Sequence, residues 1–253
     1  MMLDQVLRAT AGRVAGLPGA EEYTQPAQKR RCSLSSAIGQ KKLGNRIISE
    51  IKFASPSRGT IRCAGDPVEF ARDFTRAGAA ALSILTEPVY FHGDPAFIPA
   101  IRPYVGIPLL RKDFIIDEKQ LAESRALGAD AVLLIAGVLG NRLEDMVDSA
   151  VAYGLEPLVE IHSLEEVKEV LSTSTRLAGI NNRDLRTMRT DLSTTMRLAP
   201  PLHMAGLTVV SESGVIWPCD IKTLRPFADA FLIGTAIMGS PDPVQRLGGF
   251  VSA

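Results

Sequence analysis

Short apolar runs rich in Val, Ile and Leu recur along the chain from residue 46 onward, and amphipathic segments separate them. Eight runs have the length of a strand, and several are apolar at consecutive rather than alternate positions. They span residues 47–51, 81–85, 107–110, 131–135, 157–161, 177–180, 207–210 and 230–233. Continuous apolar runs are typical of parallel strands that are buried on both faces.

Helix-start signals lie between several of the runs. Asp117 and Ser163 are each followed three residues later by Gln or Glu, the capping-box pattern that satisfies free amides at a helix N-terminus. Asp66 precedes a proline, which is favoured at the first position of a helix. Buried strands that alternate with amphipathic helices predict an α/β fold with a parallel sheet.

Eight successive strand–helix units are the number that closes a (β/α)8, or TIM, barrel. An open, doubly wound sheet is the alternative, but the chain contains neither a GxGxxG motif nor a P-loop. No low-complexity tract or linker divides the repeat. The predicted architecture is therefore a single (β/α)8 barrel over residues 46–253.

Residues 1–45 stand outside this repeat and are predicted to form an N-terminal helical extension. An apolar stripe at helical spacing indicates an amphipathic helix that ends near Pro18. The stripe consists of Leu3, Val6, Leu7, Ala11 and Val14. Basic residues cluster at positions 29–31 and 41–42. These clusters fit either a solvated surface or a segment that places cations over one end of the barrel.

Composition limits the possible partners and the compartment. The 28 Lys and Arg balance 28 Asp and Glu, which argues against binding to nucleic acid or to an anionic membrane. The three cysteines form no CxxC pair, so neither a disulfide framework nor a zinc site is expected. No apolar run approaches the roughly 20 residues that cross a bilayer, and charges interrupt the N-terminal stripe, so no signal peptide is expected. These features predict a soluble protein of the cytoplasm.

Polar residues stand at the ends of five of the runs, where barrel enzymes carry their working groups. They are Glu50 and Lys52, Lys112, Glu160 and His162, Asn181 and Arg183, and Glu212 and Ser213. Glu50 and Lys52 lie two positions apart, so alternation along a strand points both side chains to the same face. If that face is the interior, the two charges share a cavity in which charges are seldom buried without a partner or a task.

These residues also have structural interpretations. Lys112 beside Asp113 fits an ordinary ion pair at a strand end, and residues 181–184 fit a turn, since Asn and Asp tolerate left-handed backbone. Glu160 fits a solvated acid, and three scattered histidines do not predict a metal site. The occurrence of lysines, glutamates, an asparagine and an arginine on one rim favours the functional interpretation.

Three loops carry the chemistry of a phosphate site. Ser213–Gly214 and Gly234–Thr235 follow the last two predicted strands, whose loops commonly bind phosphate in barrels. Small residues let the backbone approach an anion, and the hydroxyls add donors. The loop from Ser55 to Gly59 adds two hydroxyls and the guanidinium of Arg58.

Five segments together resemble the signature of the indole-3-glycerol phosphate synthase family. They are EIKFASPSRG from Glu50, LRKDFI from Leu110, LVEIH from Leu158, GINNRDL from Gly179 and VSESG from Val210. They occur in the order and at the spacing of the family, from about residue 45 to the C-terminus. Arg58 stands where the family often has Lys, Thr235 falls at a variable position, and residues 1–45 match in kind as a helical extension.

The resemblance implies a step of tryptophan biosynthesis. The expected substrate is the small phosphorylated molecule 1-(2-carboxyphenylamino)-1-deoxyribulose 5-phosphate, which is converted to indole-3-glycerol phosphate, carbon dioxide and water. The family uses no metal and no organic cofactor, so none is expected.

The resemblance also implies roles for individual residues. Lys112 is the expected general acid for ring closure, Glu160 the base or proton relay in dehydration, and Lys52 the partner of the substrate carboxylate and a later proton donor. Glu50 and Glu212 are expected to orient these groups, whereas Asn181, Arg183 and Ser213 position the substrate. The phosphate is expected at Ser55, Gly214, Gly234 and Thr235.

The chemistry of ring closure agrees with this assignment. A weakly nucleophilic aromatic carbon must attack a ketone, and cations at the ketone oxygen and the carboxylate assist it. An ordinary lysine, with a pKa of about 10.4, is a slow acid at neutral pH. We therefore expect Lys52 and Lys112 to share a cavity and lower each other's pKa, while alternation turns Arg111 to the other face. Apolar walls are expected from Phe91, Phe114, Leu133 and Leu185.

Two other functions remain open from the sequence. Another phosphate-binding barrel enzyme, either an isomerase of a phosphoribosyl sugar or an aldolase that forms a Schiff base through Lys52 or Lys112, has similar requirements. A barrel that binds a ligand without turnover is the alternative of a different class, but it leaves three glutamates on the rim unexplained.

Overall fold

Eight parallel strands close into a barrel in the computed structural model, which describes residues 2–23, 32–40, 44–56, 58–63, 65–184 and 187–253. The barrel strands are β1 (Ile47–Ile51), β2 (Ala81–Leu85), β3 (Leu109–Lys112), β4 (Ala131–Ile135), β5 (Glu156–Ile161), β6 (Leu177–Asn181), β7 (Thr208–Glu212) and β8 (Ala230–Ile233). Each strand pairs with its neighbours in chain order, and β8 pairs with β1 through Phe231 opposite Ile47. The predicted (β/α)8 barrel is confirmed.

Helices alternate with the strands and cover the outside of the barrel, and two further helices precede the first strand. They are α1 (Met2–Ala15), α2 (Leu34–Gly39), α3 (Pro67–Arg76), α4 (Phe97–Ile101), α5 (Glu118–Leu127), α6 (Ala136–Leu139), α7 (Leu143–Ala152), α8 (Leu164–Leu171), α9 (Ser193–Met204), α10 (Pro218–Leu224), α11 (Thr235–Met238) and α12 (Pro243–Val251). Short 3-10 turns lie at Ala20–Glu22, Arg102–Tyr104 and Gly140–Arg142, and a small hairpin pairs Ala54–Ser55 with Gly59–Thr60. In the described part of the chain, no helix is long and apolar enough to cross a membrane.

Two strands begin and end later than their apolar runs. β3 covers Leu109–Lys112 rather than 107–110, and β7 continues to Glu212 rather than ending at 210. Pro108 cannot donate a ladder hydrogen bond, which disfavours an earlier start of β3. The later ends place Lys112 and Glu212 within the strands themselves, so strand alternation fixes the direction of both side chains.

The barrel interior and the helix–strand interface form separate apolar clusters. The interior cluster includes the first residue of four strands, at Ala81, Ala131, Leu177 and Ala230. Leu34 and Ile38 of α2 belong to the same cluster, so α2 lies at the end of the barrel where the strands begin. The larger cluster joins the outward faces of the strands to the surrounding helices.

The predicted helix caps are present, but the second bond of each capping box is displaced. Asp117, Ser163 and Asp66 each accept a hydrogen bond from a backbone amide in the first turn of the helix that follows. Gln120 accepts from the amide of Ile116, and Glu166 accepts from that of His162, one residue before the cap in both cases. The caps therefore also fix the last residues of the loops that leave β3 and β5.

The N-terminal helix lies over the end of the barrel where the strands finish. Arg13 of α1 forms an ion pair with Asp113, 2.8 Å from Nη2 to Oδ1, directly after β3. Leu3 and Val6 of α1 line the cavity at that end. The basic clusters at 29–31 and 41–42, whose position the sequence left open, lie outside the described residues.

Candidate active site

A cavity of about 1160 Å³ opens at the C-terminal ends of the strands. It brings together all of the described residues that the sequence analysis assigned to the catalytic, substrate and phosphate groups. They are Glu50, Lys52, Ser55, Phe91, Lys112, Phe114, Leu133, Glu160, Asn181, Arg183, Glu212, Ser213, Gly214, Gly234 and Thr235. Leu185, and Ser57 of the loop after β1, lie outside the described residues.

Two ammonium groups and three carboxylates form the floor of the cavity. The Nζ of Lys112 lies 2.7 Å from Oε2 of Glu212 and 3.2 Å from Oε2 of Glu160. The Nζ of Lys52 lies 2.6 Å from Oε1 of Glu50. The three carboxylate side chains are each at most 3% exposed, so these charges depend on one another rather than on water.

The carboxylates change the proton affinity of the cluster. Burial lowers the pKa of Lys112, but the charges of Glu212, Glu160 and Glu50 outweigh burial and raise it above the ordinary lysine value. The expectation that Lys52 lowers the pKa of Lys112 is therefore wrong, because Lys112 is surrounded by carboxylates. Alternation along a strand gives the face of a side chain but not the groups that it meets across the barrel.

Two of the carboxylates that share Lys112 differ in proton affinity. Burial raises the pKa of Glu212 to about 7, and its Oε1 makes no hydrogen bond among the described residues. Burial also raises the pKa of Glu160, but Lys112, His162 and a hydrogen bond from Asn181 outweigh it, so this pKa lies below its usual value. Near neutral pH one carboxylate is thus ionised while its neighbour exchanges a proton readily.

The structural interpretation of Lys112 as the partner of Asp113 is wrong. Asp113 accepts hydrogen bonds from Arg13, from Arg111 and from the hydroxyl of Thr86. Arg111 is fully buried on the helix-facing side of β3, where it also pairs with Glu123 of α5 at 2.7 Å. The predicted turn of Arg111 away from the interior is confirmed.

Asn181 combines the functional and the turn interpretations. Its Nδ2 donates to Oε1 of Glu160 at 3.0 Å, and its Oδ1 accepts from the backbone amide of Arg183 at 3.0 Å. It therefore holds the Glu160 carboxylate and starts the turn that carries Arg183 into the cavity. Burial lowers the pKa of Arg183 and the charge of Arg58 lowers it further, so two guanidinium groups lie close enough to attract one anion.

The loops after β7 and β8 bring backbone to the cavity surface. Ser213 and Gly214 both have positive φ, at 61° and 87°, and a Cβ on Gly214 would meet Thr190 at 2.6 Å and Leu192 at 2.8 Å. A Cβ on Gly234 would collide with the carboxylate of Glu50. Glycine at these two positions therefore leaves room for the adjacent side chains as well as for an anion.

A residue that sequence reasoning missed holds the loop after β7. The buried Asn182 donates from Nδ2 to the carbonyl oxygens of Glu212 and Ser213, each at 3.0 Å, and its Oδ1 accepts from the amide and hydroxyl of Thr195. Non-glycine residues adopt positive φ only where their surroundings hold them there, and Asn182 supplies that support for Ser213. Its place in the GINNRDL segment was the available signal.

Aromatic and aliphatic side chains form the walls. The rings of Phe91 and Phe114 pack with centroids 6.2 Å apart, and Leu133 lies in the same cavity. Sequence reasoning missed Leu3 and Val6 as wall residues, because an apolar stripe does not say where its helix docks. It also missed Trp217 and Arg246 at the mouth, where the guanidinium lies 4.4 Å from the ring centroid.

The closed barrel and the charged cavity at its C-terminal rim define a (β/α)8-barrel enzyme. The sequence pattern of the indole-3-glycerol phosphate synthase family matches residues 7–248. The chain belongs to this family.

Individual relatives extend the match over nearly the whole chain. A protein of Carboxydothermus hydrogenoformans named indole-3-glycerol phosphate synthase is 48% identical over 203 residues, covering 79% of this chain and 77% of that protein. A protein of the same name from Dechloromonas aromatica is 41% identical over 248 residues, covering 96% and 93%. Another from Geobacillus kaustophilus is 41% identical over 251 residues, covering 97% and 94%.

Proposed function

We propose that this chain catalyses ring closure, decarboxylation and dehydration of 1-(2-carboxyphenylamino)-1-deoxyribulose 5-phosphate, and so acts as a carboxy-lyase of tryptophan biosynthesis. The observation that carries the proposal is the position of Lys112 between Glu160 and Glu212, beside the Lys52–Glu50 pair, on the floor of a cavity with aromatic and aliphatic walls. Two proton donors and an ionised base within one water-poor site match a reaction that forms one carbon–carbon bond, breaks another, and then removes a hydroxyl group and a ring proton.

Ring closure requires an acid at the substrate ketone. Lys112 donates a proton to the ketone oxygen while the aromatic carbon attacks the ketone carbon, and its ammonium stabilises the negative charge that develops there. Glu212 and Glu160 hold the ammonium in place and keep it protonated until the ketone replaces one of them as acceptor. The raised pKa of Lys112 thus ensures that the acid form is present at neutral pH.

The later steps use the other lysine and Glu160. Loss of carbon dioxide restores the aromatic ring, and Lys52, which binds the carboxylate beforehand, then donates a proton as hydroxide leaves. Glu160 takes the proton from the neighbouring ring carbon, for which its low pKa keeps it ionised. Glu50 orients Lys52 through their 2.6 Å ion pair.

The remaining groups position the substrate. Arg183, Asn181 and Ser213 contact its polar groups, and Phe91, Phe114 and Leu133 enclose the aromatic ring. The phosphate lies against Ser55, Gly214, Gly234 and Thr235, where small residues expose backbone amides. Leu185 is proposed as a further wall residue.

The test is the growth of indole fluorescence when the purified protein meets the carboxyphenylamino-deoxyribulose phosphate in a chelator-containing buffer. We expect turnover with release of carbon dioxide. Borohydride added during turnover distinguishes a Schiff-base aldolase, since an imine at Lys52 or Lys112 would be reduced to a stable adduct. Covalent trapping without indole formation would refute the synthase, and tight binding without turnover would indicate a ligand-binding barrel.

We further propose that the protein works in the cytoplasm and binds neither nucleic acid nor membrane. Its charges balance, and its three cysteines form no disulfide in the described structure. Cell fractionation tests the compartment, and a retained signal in the membrane pellet would contradict the proposal.

A further inference from the structure

The Glu160 carboxylate has a second neighbour on the side away from Lys112. Its Oε1, which Asn181 holds, faces Nε2 of His162 at 3.5 Å, whereas its Oε2 faces Lys112. The other imidazole nitrogen, Nδ1 of His162, lies 3.6 Å from Oε2 of Glu166 in α8. Glu160, His162 and Glu166 thus form a continuous chain of acid–base groups.

This series of acid–base groups leads away from the substrate cavity. Glu160 lines the cavity, but His162 and Glu166 do not. The Glu160 side chain is 3% exposed, whereas those of His162 and Glu166 are 19% and 18% exposed. A bound substrate that fills the cavity therefore leaves the path through His162 to the solvent open.

The reaction under Proposed function, on which this inference rests, must take up a proton. The substrate carboxylate leaves as carbon dioxide and a hydroxyl leaves as water, so the products hold one proton more than the ionised substrate supplies. Lys112 and Lys52 each give up a proton and Glu160 gains one, which leaves the enzyme one proton short after each turnover. Lys52 regains its proton from solvent. Glu160 loses the proton that it gained either to Lys112, over 3.2 Å, or to solvent while solvent reprotonates Lys112, and the second route needs a path that a filled cavity leaves open.

We propose that His162 and Glu166 carry protons between the solvent and the Glu160 carboxyl group, so that His162 is a positioning and proton-transfer residue that acts through Glu160. An imidazole accepts a proton at one nitrogen and releases another from the opposite nitrogen. Nε2 of His162 is buried and makes no hydrogen bond among the described residues, so it is available to Glu160. The distances from Nε2 to Glu160 and from Nδ1 to Glu166 each exceed the length of a normal hydrogen bond by about 0.5 Å. A small rotation of the imidazole ring shortens them.

The charges around the ring favour its protonated form. Burial lowers the pKa of His162, but Glu166, Glu160 and Glu212 outweigh burial and raise it above the usual histidine value. Lys112 is the cation on the far side of Glu160. The backbone amide of His162 donates to Glu166, which fixes the acid beside the ring.

His162→Asn and Glu166→Gln test the path, because both variants keep the backbone and the helix cap. His203→Asn is the matched control, since this histidine pairs with Asp229 at 3.1 Å and takes no part in the cavity. We expect His162→Asn to lower kcat about tenfold at pH 6.5 with KM unchanged, the low end of what general acid–base groups contribute. The loss should depend on pH, because only an imidazole that titrates can carry protons, and added imidazole should restore kcat.

The outcomes separate this inference from the function on which it rests. A wild-type protein that yields no indole fluorescence overturns both. An active wild type with an equally active His162→Asn variant at every pH overturns the proton path alone. A loss of kcat that is independent of pH and is not restored by imidazole also overturns it, because that result shows a purely structural role.

Discussion

Replacement of Lys112 by methionine removes the ammonium but keeps an unbranched side chain that fills the space of the lysine stem. In the structure this leaves Glu160 and Glu212, both buried, without the cation that lies 3.2 and 2.7 Å away. The other ammonium in the floor, Lys52, is already paired with Glu50. The variant therefore loses its acid, leaves Glu212 without that cation, and leaves Glu160 with only Asn181 and His162 as the partners described above.

The expected magnitudes follow from these contacts. Turnover should fall by about 10²- to 10⁴-fold, the contribution of a positioned general acid. Stability should fall by about 3–5 kcal/mol where both carboxylates are ionised, the typical cost of removing one partner of a buried pair. Because the pKa of Glu212 is about 7 and rises further without Lys112, proton uptake offsets part of this cost at low pH. The loss should therefore be larger at pH 8 than at pH 6.

The assay combines urea unfolding at both pH values with indole fluorescence for turnover. Lys222→Met on the exposed face of α10 is the control and should change neither quantity. Glu212→Gln in the Lys112→Met background should recover stability at pH 8, because it removes one unpaired charge. Near-normal turnover in folded Lys112→Met would exclude Lys112 as the acid. An equal loss of stability, relative to the wild type, at the two pH values would refute the proposed charge coupling.

Three further changes test other parts of the site. Gly214→Val should raise KM and cost at least about 1–2 kcal/mol of stability, since φ is 87° and the new side chain meets Thr190. Inorganic phosphate should compete with substrate in the wild type, and failure to compete would exclude the phosphate assignment. The kcat/KM of the wild type should fall as pH drops through about 7, because protonated Glu212 holds Lys112 less well. Glu212→Gln should remove this pH dependence, and a profile unchanged by that substitution would contradict the assignment of the titration to Glu212. Arg13→Met should raise KM several-fold without altering the circular dichroism spectrum, because it releases α1 from Asp113; an unchanged KM would show that α1 packs without contributing to substrate binding.

The structure also decides how the N-terminal extension can be tested. Leu34 and Ile38 of α2 lie in the barrel interior cluster, so deletion of residues 1–45 removes core packing as well as any contact with substrate. A change at Arg13 separates the two effects, because it leaves α2 in place. The sequence pattern of 1–45 as one segment did not reveal that its two helices lie at opposite ends of the barrel.

The placement of the rim residues could be predicted because it depends on local rules. Apolar runs locate the strands, and the C-terminal ends of parallel strands meet at one rim, so Glu50, Lys112, Glu160 and Glu212 were expected together. The partner of Lys112 could not be predicted, because Glu212 lies 100 residues away in sequence and meets it only when the barrel closes. The direction of its pKa shift was wrong for the same reason.

Two consecutive residues of β3 show how strand alternation separates chemistry from structure. Arg111 points outward, where its permanent charge binds Asp113 and Glu123 and so joins the strand to α5. Lys112 points inward to Glu160 and Glu212. A guanidinium in the inward position would keep both carboxylates ionised and would have no proton to give at neutral pH. An ammonium can lose its proton to a substrate oxygen and regain it from Glu160, so the outward arginine supports the fold while the inward lysine remains available for proton transfer.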